Sequence, residues 1–147
     1  MPLYYIDTSA LVKRYHVEQG SEQVERLFSD QTAVLVTSNL TITELTSALD
    51  RKVQERRISE EGLARVLAVA ARDLLKEFWL IELDRNHIKH SQQLILQHHL
   101  RSLDALHLAT FLSIKDLAPT LVSADQRLLG AALRESMQIF NPEIPSQ

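Results

Sequence analysis

Hydrophobic residues along the chain are grouped in short runs of strand length, separated by longer segments with helical spacing. The short runs are rich in β-branched or aromatic residues, as strands are. They lie at residues 3–6, 33–38, 79–83, 120–124 and, more weakly, 137–140. Because Pro142 follows the last run closely, it suits an edge position in a sheet. The pattern therefore predicts four strands and a fifth at an edge.

The intervening segments carry apolar residues at helical intervals after plausible caps. The predicted helices are 8–16, 21–29, 42–57, a helix capped by Ser59 with apolar positions up to Phe78, a helix capped by Asp84 reaching His98, and 102–112. The third and fourth form an antiparallel hairpin that turns at Arg57 to Ser59. Helix 102–112 is apolar almost all round, which is typical of a helix enclosed in the core. Alternating strands and helices predict an α/β fold with a parallel sheet covered on both faces.

Length and composition favour one domain, residues 1–147, with a substantial core. The chain has 147 residues, of which 45% are hydrophobic, and only 3 Gly and 4 Pro. It has no Cys, which excludes disulfides, thiolate zinc sites and a cysteine nucleophile. Asp7 interrupts the first apolar run, so no signal peptide is expected, and no apolar run approaches the roughly 20 residues of a membrane helix. We expect a cytoplasmic protein without membrane contact.

The formal net charge of -3 argues against a general nucleic-acid coat. It leaves room for a local basic groove, because the distribution of charge matters more than its sum.

Four acidic residues stand where strands give way to helices. Asp7 ends the first strand, Glu44 lies in the first turn of its helix, Asp104 opens the apolar helix, and Asp125 follows the strand at 120–124. Singly, each reads as a helix cap or a first-turn acid, with Thr41 and Glu44 forming a capping box. Their joint placement instead indicates a ligand site, because ligands of open α/β sheets bind beyond the carboxyl ends of the strands.

Carboxylates gathered at one edge repel one another unless a cation neutralises them. An all-oxygen donor set selects a hard ion, Mg²⁺ or Mn²⁺, which also contacts phosphate oxygens. The cluster therefore predicts metal-assisted hydrolysis of a phosphodiester.

Four segments together resemble the PIN-domain family: YIDTSALVKRY, TELTSAL, LDALHLA and VSADQRL. The similarity extends over essentially the whole chain, with the motifs in family order, and the compact form resembles the VapC toxins of toxin–antitoxin pairs. The resemblance implies a three-layer α/β/α sandwich with a central parallel sheet, and a ribonuclease dependent on Mg²⁺ or Mn²⁺. It also implies a homodimer and a cognate antitoxin that occludes the acidic pocket.

Carried over by position, the acids of the family fall on Asp7, Glu44, Asp104 and Asp125, the last of which is the least uniform in the family. The hydroxyl residue after the first acid falls on Ser9, with Thr8 between. A Thr that many members place before the last acid is here Ser123.

Nearby cations and aromatic residues are candidates for contact with RNA. The cations are Lys13, Arg14, Arg51, Lys52, Arg101 and Arg127, and the aromatic residues are Tyr4, Tyr5 and Tyr15. For most of the cations a solvated helix surface is the favoured interpretation, and core packing is favoured for at least one of the first two tyrosines.

Other chemistries find weaker support. His87 and His90 share a helix face, and His98 and His99 precede Asp104, without the third ligand that zinc requires. His107, three residues after Asp104, could orient that acid, contact phosphate or be a partly buried polar group. The sequence lacks the Gly-x-Ser-x-Gly elbow of a serine hydrolase and the glycine-rich loop of a nucleotide site. It also lacks the second Asp, at position 9, that a dehalogenase-like phosphatase would have.

The sequence thus predicts a metal-dependent endoribonuclease, the toxin of a toxin–antitoxin pair. Two alternatives stay open: a catalytically silent binding module of the same fold, and a nuclease of RNA processing without an antitoxin.

Overall fold

A parallel sheet of five strands in the order β3-β2-β1-β4-β5 forms the middle layer of the molecule. The computed structural model describes residues 1–144. The strands are β1 Leu3–Ile6, β2 Val34–Ser38, β3 Phe78–Ile81, β4 Thr120–Val122 and β5 Gln138–Phe140. The α-helices are α1 Thr8–Tyr15, α2 Ser21–Ser29, α3 Leu40–Gln54, α4 Glu60–Lys76, α5 Arg85–His98, α6 Ser102–Leu112 and α7 Gln126–Arg134.

Helices cover both faces of the sheet, because alternate strand residues are apolar on both sides. Tyr5, Val36 and Leu121 pack into one core with α5, α6 and α7. Ile6 and Leu35 face the opposite core, which is filled from α1, α3 and α4. The predicted α/β/α sandwich is therefore the observed fold.

The predicted elements are all present, with shifts at their ends. The third helix begins at Leu40 and ends at Gln54, so the predicted range 42–57 was displaced. Phe78 opens β3 instead of ending the preceding helix, because its side chain packs with Phe28 and the sheet core. Two further elements were not among the predicted helices: the short 3₁₀ helix at Lys115–Leu117, and α7, of which the sequence pattern indicated only a first turn at Asp125. β5 lies at the edge, as expected.

Strand order places a switch point beside β1. The chain runs outward from β1 through β2 to β3, and then returns to form β4 on the other side of β1. Ile6 pairs with Val122, so both strands end at the same level. Such switch points are where open α/β sheets bind ligands. Within residues 1–144, no helix is long and apolar enough to cross a membrane.

Candidate active site

Asp7 is the carboxylate at the end of β1, and it is almost fully buried. It is the N-cap of α1, where Oδ1 accepts a hydrogen bond from the backbone N–H of Ala10 at 3.1 Å. Burial raises the pKa of Asp7, against the opposing effects of the charge on His107 and of its own hydrogen bonds. A buried acid whose charge is this costly favours the approach of a cation.

Two serine hydroxyls hold the Asp7 carboxylate from both sides of the β1–β4 junction. Ser9 Oγ donates to Oδ1 at 2.8 Å and Ser123 Oγ donates to Oδ2 at 2.9 Å. Ser9 in turn accepts from the backbone N–H of Ala124 at 3.0 Å, and Ser123 from that of Asp125. The two predicted supporting hydroxyls therefore orient Asp7 and connect the ends of β1 and β4.

Asp104 and Asp125 face Asp7 from two other elements. Asp125 is the N-cap of α7, where Oδ1 accepts from the backbone N–H groups of Arg127 and Leu128. Asp104 lies in the first turn of α6. Burial and the charges of Asp125 and Asp7 raise the pKa of Asp104 to about 6. The carboxylates are thus close enough to repel one another.

Glu44 is held by a buried histidine. His107 Nε2 donates to Glu44 Oε1, since an ionised carboxylate only accepts, and His107 Nδ1 lies 2.8 Å from the hydroxyl of Tyr5. The predicted capping box is wrong, because Thr41 Oγ1 is bonded to Thr37 Oγ1 at 2.7 Å and the helix begins two residues earlier than predicted, with Asn39 as its N-cap. The sequence signal for His107 was a polar side chain on an apolar helix, one turn after Asp104; its partner is Glu44, 63 positions away.

All four carboxylates line one cleft of about 720 Å³ between α1, α3 and α6. Thr8 and Ser9 line it beside Asp7, and Arg51 and Lys52 of α3 lie further along it. The structure thus brings the predicted acids together with three of the predicted cations, because Lys13 also lines the cleft. Ser47 and Thr43 of α3 also line the cleft, and the sequence pattern did not single them out.

Four of the predicted RNA-contacting cations have other roles or positions. Lys13 reaches the cleft wall but is only 3% exposed, and its ammonium pairs with Glu18 at 3.1 Å and Glu143 at 2.6 Å. Arg14 pairs with Glu25 outside the cleft and lies over the Phe28 ring. The exposed side chains of Arg101 and Arg127 are not among the residues that line the cleft.

The tyrosines and the first histidine pair are explained by packing and capping. Tyr5 is fully buried in the core, and Tyr15 donates to Asp73 at 2.8 Å. Tyr4 packs against the core on the α1 side. His87 is buried, and its Nδ1 accepts from the backbone N–H of Asp84 to complete a capping box. These contacts leave base stacking and zinc binding without support at these positions.

The donor chemistry of the cleft fits Mg²⁺ or Mn²⁺. The donors are carboxylate oxygens, and the pKa is raised for two of the acids, Asp7 and Asp104. The hydroxyl of Thr8, beside Asp7, is buried without a hydrogen-bond partner within residues 1–144. In the same residues, no three Asp, Glu or His side chains lie close enough together to hold one ion. The four acids share the cleft without converging on one point, with Glu44 turned toward His107.

Fold and cleft define an α/β/α sandwich with a carboxylate-rich site at the switch point of a parallel sheet. Residues 4–132 match the PIN domain, and the chain belongs to the PIN-domain family. It is 37% identical over 143 residues to Ribonuclease VapC35 of Mycobacterium tuberculosis, covering 95% of this chain and 97% of that protein.

Solved structures share the fold. The crystal structure of Mycobacterium tuberculosis VapC20, a Sarcin-Ricin loop cleaving toxin, aligns with a TM-score of 0.68 at 17% identity, over 87% of this chain and 94% of VapC20. The toxin–antitoxin complex from Klebsiella pneumoniae aligns with a TM-score of 0.62 at 18% identity, over 97% of this chain and 98% of the matched chain.

Proposed function

We propose that this protein is an endoribonuclease of the VapC type, the toxin of a toxin–antitoxin pair, which hydrolyses RNA phosphodiester bonds with Mg²⁺ or Mn²⁺. The observation that carries the proposal is the arrangement of Asp7, Glu44, Asp104 and Asp125 around one cleft at the switch point of the sheet. The similarity to a named VapC ribonuclease over nearly the whole of both chains supports it.

The four carboxylates would hold the ion, which supplies positive charge for water activation and for the phosphate oxygens when it is bound. Three of the four acids are already oriented by a neighbour or by the backbone of a helix. Ser9 and Ser123 fix Asp7, and His107 fixes Glu44. Asp125 is held by the backbone of α7. These contacts hold three of the acids in defined orientations, and the four carboxylates would still have to move closer together to share one ion.

Direct attack by water, without a covalent intermediate on the protein, suits this site. The hydroxyls of Ser9 and Ser123 both donate to the Asp7 carboxylate and are 3.3 Å from each other. A nucleophilic serine needs a general base held in place by a third group, and the bonds of Ser9 and Ser123 are those of residues that orient an acid. We assign these two hydroxyls to positioning Asp7.

A cognate antitoxin is part of the proposal. The fold is shared with the toxin–antitoxin complex from Klebsiella pneumoniae, and the acidic cleft offers carboxylates to a basic side chain of a partner. A small adjacent reading frame that encodes a DNA-binding protein would favour the toxin over an RNA-processing nuclease. The homodimer and the cytoplasmic location stay predictions.

The test is cleavage of total cellular RNA by purified, antitoxin-free protein in Mg²⁺, in Mn²⁺ and in EDTA. We expect discrete fragments from the wild type with metal and none with EDTA, Asp7→Asn or Asp104→Asn. Asp50→Asn is the matched control, because Asp50 is exposed on α3 and does not line the cleft. A folded wild type that cleaves no RNA would favour the silent binding module, and fully active cleft variants would refute the assignment of the acids.

A further inference from the structure

One face of α3 extends the cleft away from the acids. After Glu44, the residues of α3 that line the cleft are Ser47, Ala48, Arg51 and Lys52. Residues three, four, seven and eight positions apart share one face of a helix, so this row is a continuous surface. The acidic end of the cleft therefore leads into a stretch with hydroxyl and basic groups.

The cations along this surface differ in how far their charge is already compensated. Lys52 Nζ lies 3.3 Å from Glu18 Oε2, and the Lys52 side chain is 13% exposed. Arg57, at the far end, pairs with Glu55. Arg51 is exposed and donates to the neutral hydroxyl of Ser47 at 3.2 Å, with no carboxylate within ion-pair distance in the described part of the chain. Arg51 therefore offers an uncompensated positive charge to the cleft.

The position of Arg51 fits a single RNA strand with stacked bases that runs along α3. Seven residues separate it from Glu44, which is about 10.5 Å along the helix axis. At the spacing of about 3.4 Å per nucleotide in a stacked strand, this corresponds to about three nucleotides. A guanidinium group can bind a phosphate through two parallel hydrogen bonds. The cleft, of about 720 Å³, lies in the range of pockets for small ligands and suits one strand better than a duplex.

We infer that Arg51, oriented by Ser47, binds a backbone phosphate of single-stranded RNA about three nucleotides from the phosphate held among the four carboxylates. This inference rests on the proposed function and names a contact that draws an anionic strand into a cleft rich in acids. The contact is to the phosphate backbone, so it contributes affinity and register and reads no base.

The test measures binding of a short fluorescein-labelled single-stranded RNA of mixed sequence by anisotropy, at several salt concentrations. The Asp104→Asn background keeps the RNA intact, and cleavage is measured in parallel in the wild-type background. Arg51→Gln should weaken binding about tenfold and reduce the slope of log K against log salt by about 0.7. Arg51→Lys, which keeps the charge without the two-pronged geometry, should fall between Arg51→Gln and the unsubstituted protein.

Arg72→Gln is the matched control, because Arg72 is exposed on α4 and does not line the cleft. It should bind RNA as the unsubstituted protein does. Equal affinity and salt slope in Arg51→Gln and its parent, or an equal loss in Arg72→Gln, would overturn the inference while RNA cleavage by the wild type still supports the proposed function. A wild type that neither binds nor cleaves RNA would overturn both.

Discussion

His107 donates a hydrogen bond from Nε2 to the carboxylate of Glu44, and this bond joins the buried core of α6 to the acidic cleft. The His107 side chain is 2% exposed, and its other ring nitrogen contacts the hydroxyl of fully buried Tyr5. One short chain of polar groups thus runs from β1 through α6 to α3. Because each of these groups is hydrogen-bonded to the next, the network fixes the direction in which the Glu44 side chain points.

Replacing His107 with Leu should destabilise the protein and abolish RNA cleavage. The Tyr5 hydroxyl and the Glu44 carboxylate each lose a partner, which costs about 1–3 kcal/mol of unfolding free energy. Urea denaturation and the RNA assay measure the two effects. His107→Gln places an amide N–H near the position of Nε2 and should recover more cleavage than its stability alone explains. Equal cleavage by the Leu and Gln variants at temperatures where both are folded would argue against a positioning role.

Asp104→Asn should stabilise the metal-free protein near neutral pH. The folded protein raises the pKa of Asp104 to about 6, so protonation favours the folded state. In EDTA, this contribution makes the wild type more stable as pH falls from above 6 toward 4, and it levels off below the pKa of the unfolded chain. The gain is about 1–2 kcal/mol, because solvent screens part of the charge.

Melting curves recorded from about pH 7.5 down to about pH 4 check this prediction, because this range includes the carboxyl pKa in both the folded and the unfolded state. The quantity compared is the difference in stability between the wild type and Asp104→Asn. The difference should shrink as pH falls. A variant no more stable than the wild type at neutral pH would mean that the acids do not repel one another.

Mg²⁺ or Mn²⁺ should raise the melting temperature of the wild type. Binding to the folded state alone, at a hundred times the dissociation constant, contributes about 2.7 kcal/mol, or about 5–10 °C for a chain of this size. EDTA should reverse the shift. Asp104→Asn and Asp125→Asn should reduce it, whereas Asp50→Asn should respond as the wild type does. A shift of the same size in all four proteins would place the binding of the ion outside the cleft.

Lys13→Met should weaken the attachment of the C-terminal segment to the body of the protein. Lys13 is buried between Glu18 and Glu143. The backbone of Pro142 lies against Gly20, where an added Cβ would come within 3.0 Å of it, and Gly20 has a φ of +90°, which favours glycine. Removing the ammonium leaves the Glu143 carboxylate without this partner and leaves Glu18 with Lys52 alone, which costs about 2 kcal/mol.

Urea denaturation tests this, with Lys89→Met on the exposed face of α5 as the matched control. Burial alone would raise the pKa of Glu18, but its bonds to Lys13 and Lys52 outweigh burial and lower it. The stability that Glu18 contributes is therefore present at neutral pH and lost as pH falls below the ordinary range of a glutamate. Lys13→Met should be less sensitive to acid than the wild type in this range. Unchanged stability of Lys13→Met would show that the ion pairs contribute nothing net.

Much of the fold and the neighbourhood of the site followed from local patterns in the sequence. The apolar runs and helical spacing predicted each strand, and Pro142 predicted that the last would lie at an edge. The meeting of Asp7 and Asp125 was also predictable, because parallel strands end at the same edge of a sheet. Their capping roles depend only on residues within three positions.

Other features depended on contacts between residues far apart in the chain. The partner of Glu44 is 63 positions away, and one of the two partners of Lys13, Glu143, is 130 positions away. A local reading paired Glu44 with Thr41 and left Lys13 free for RNA, because it could not include Tyr5, His107 or Glu143. The sequence by itself determined the elements and the edge of the sheet where the acids gather, since these follow from short-range periodicity and capping. Only the tertiary structure decided which charges are compensated, because that depends on how strand order and helix packing bring distant side chains together.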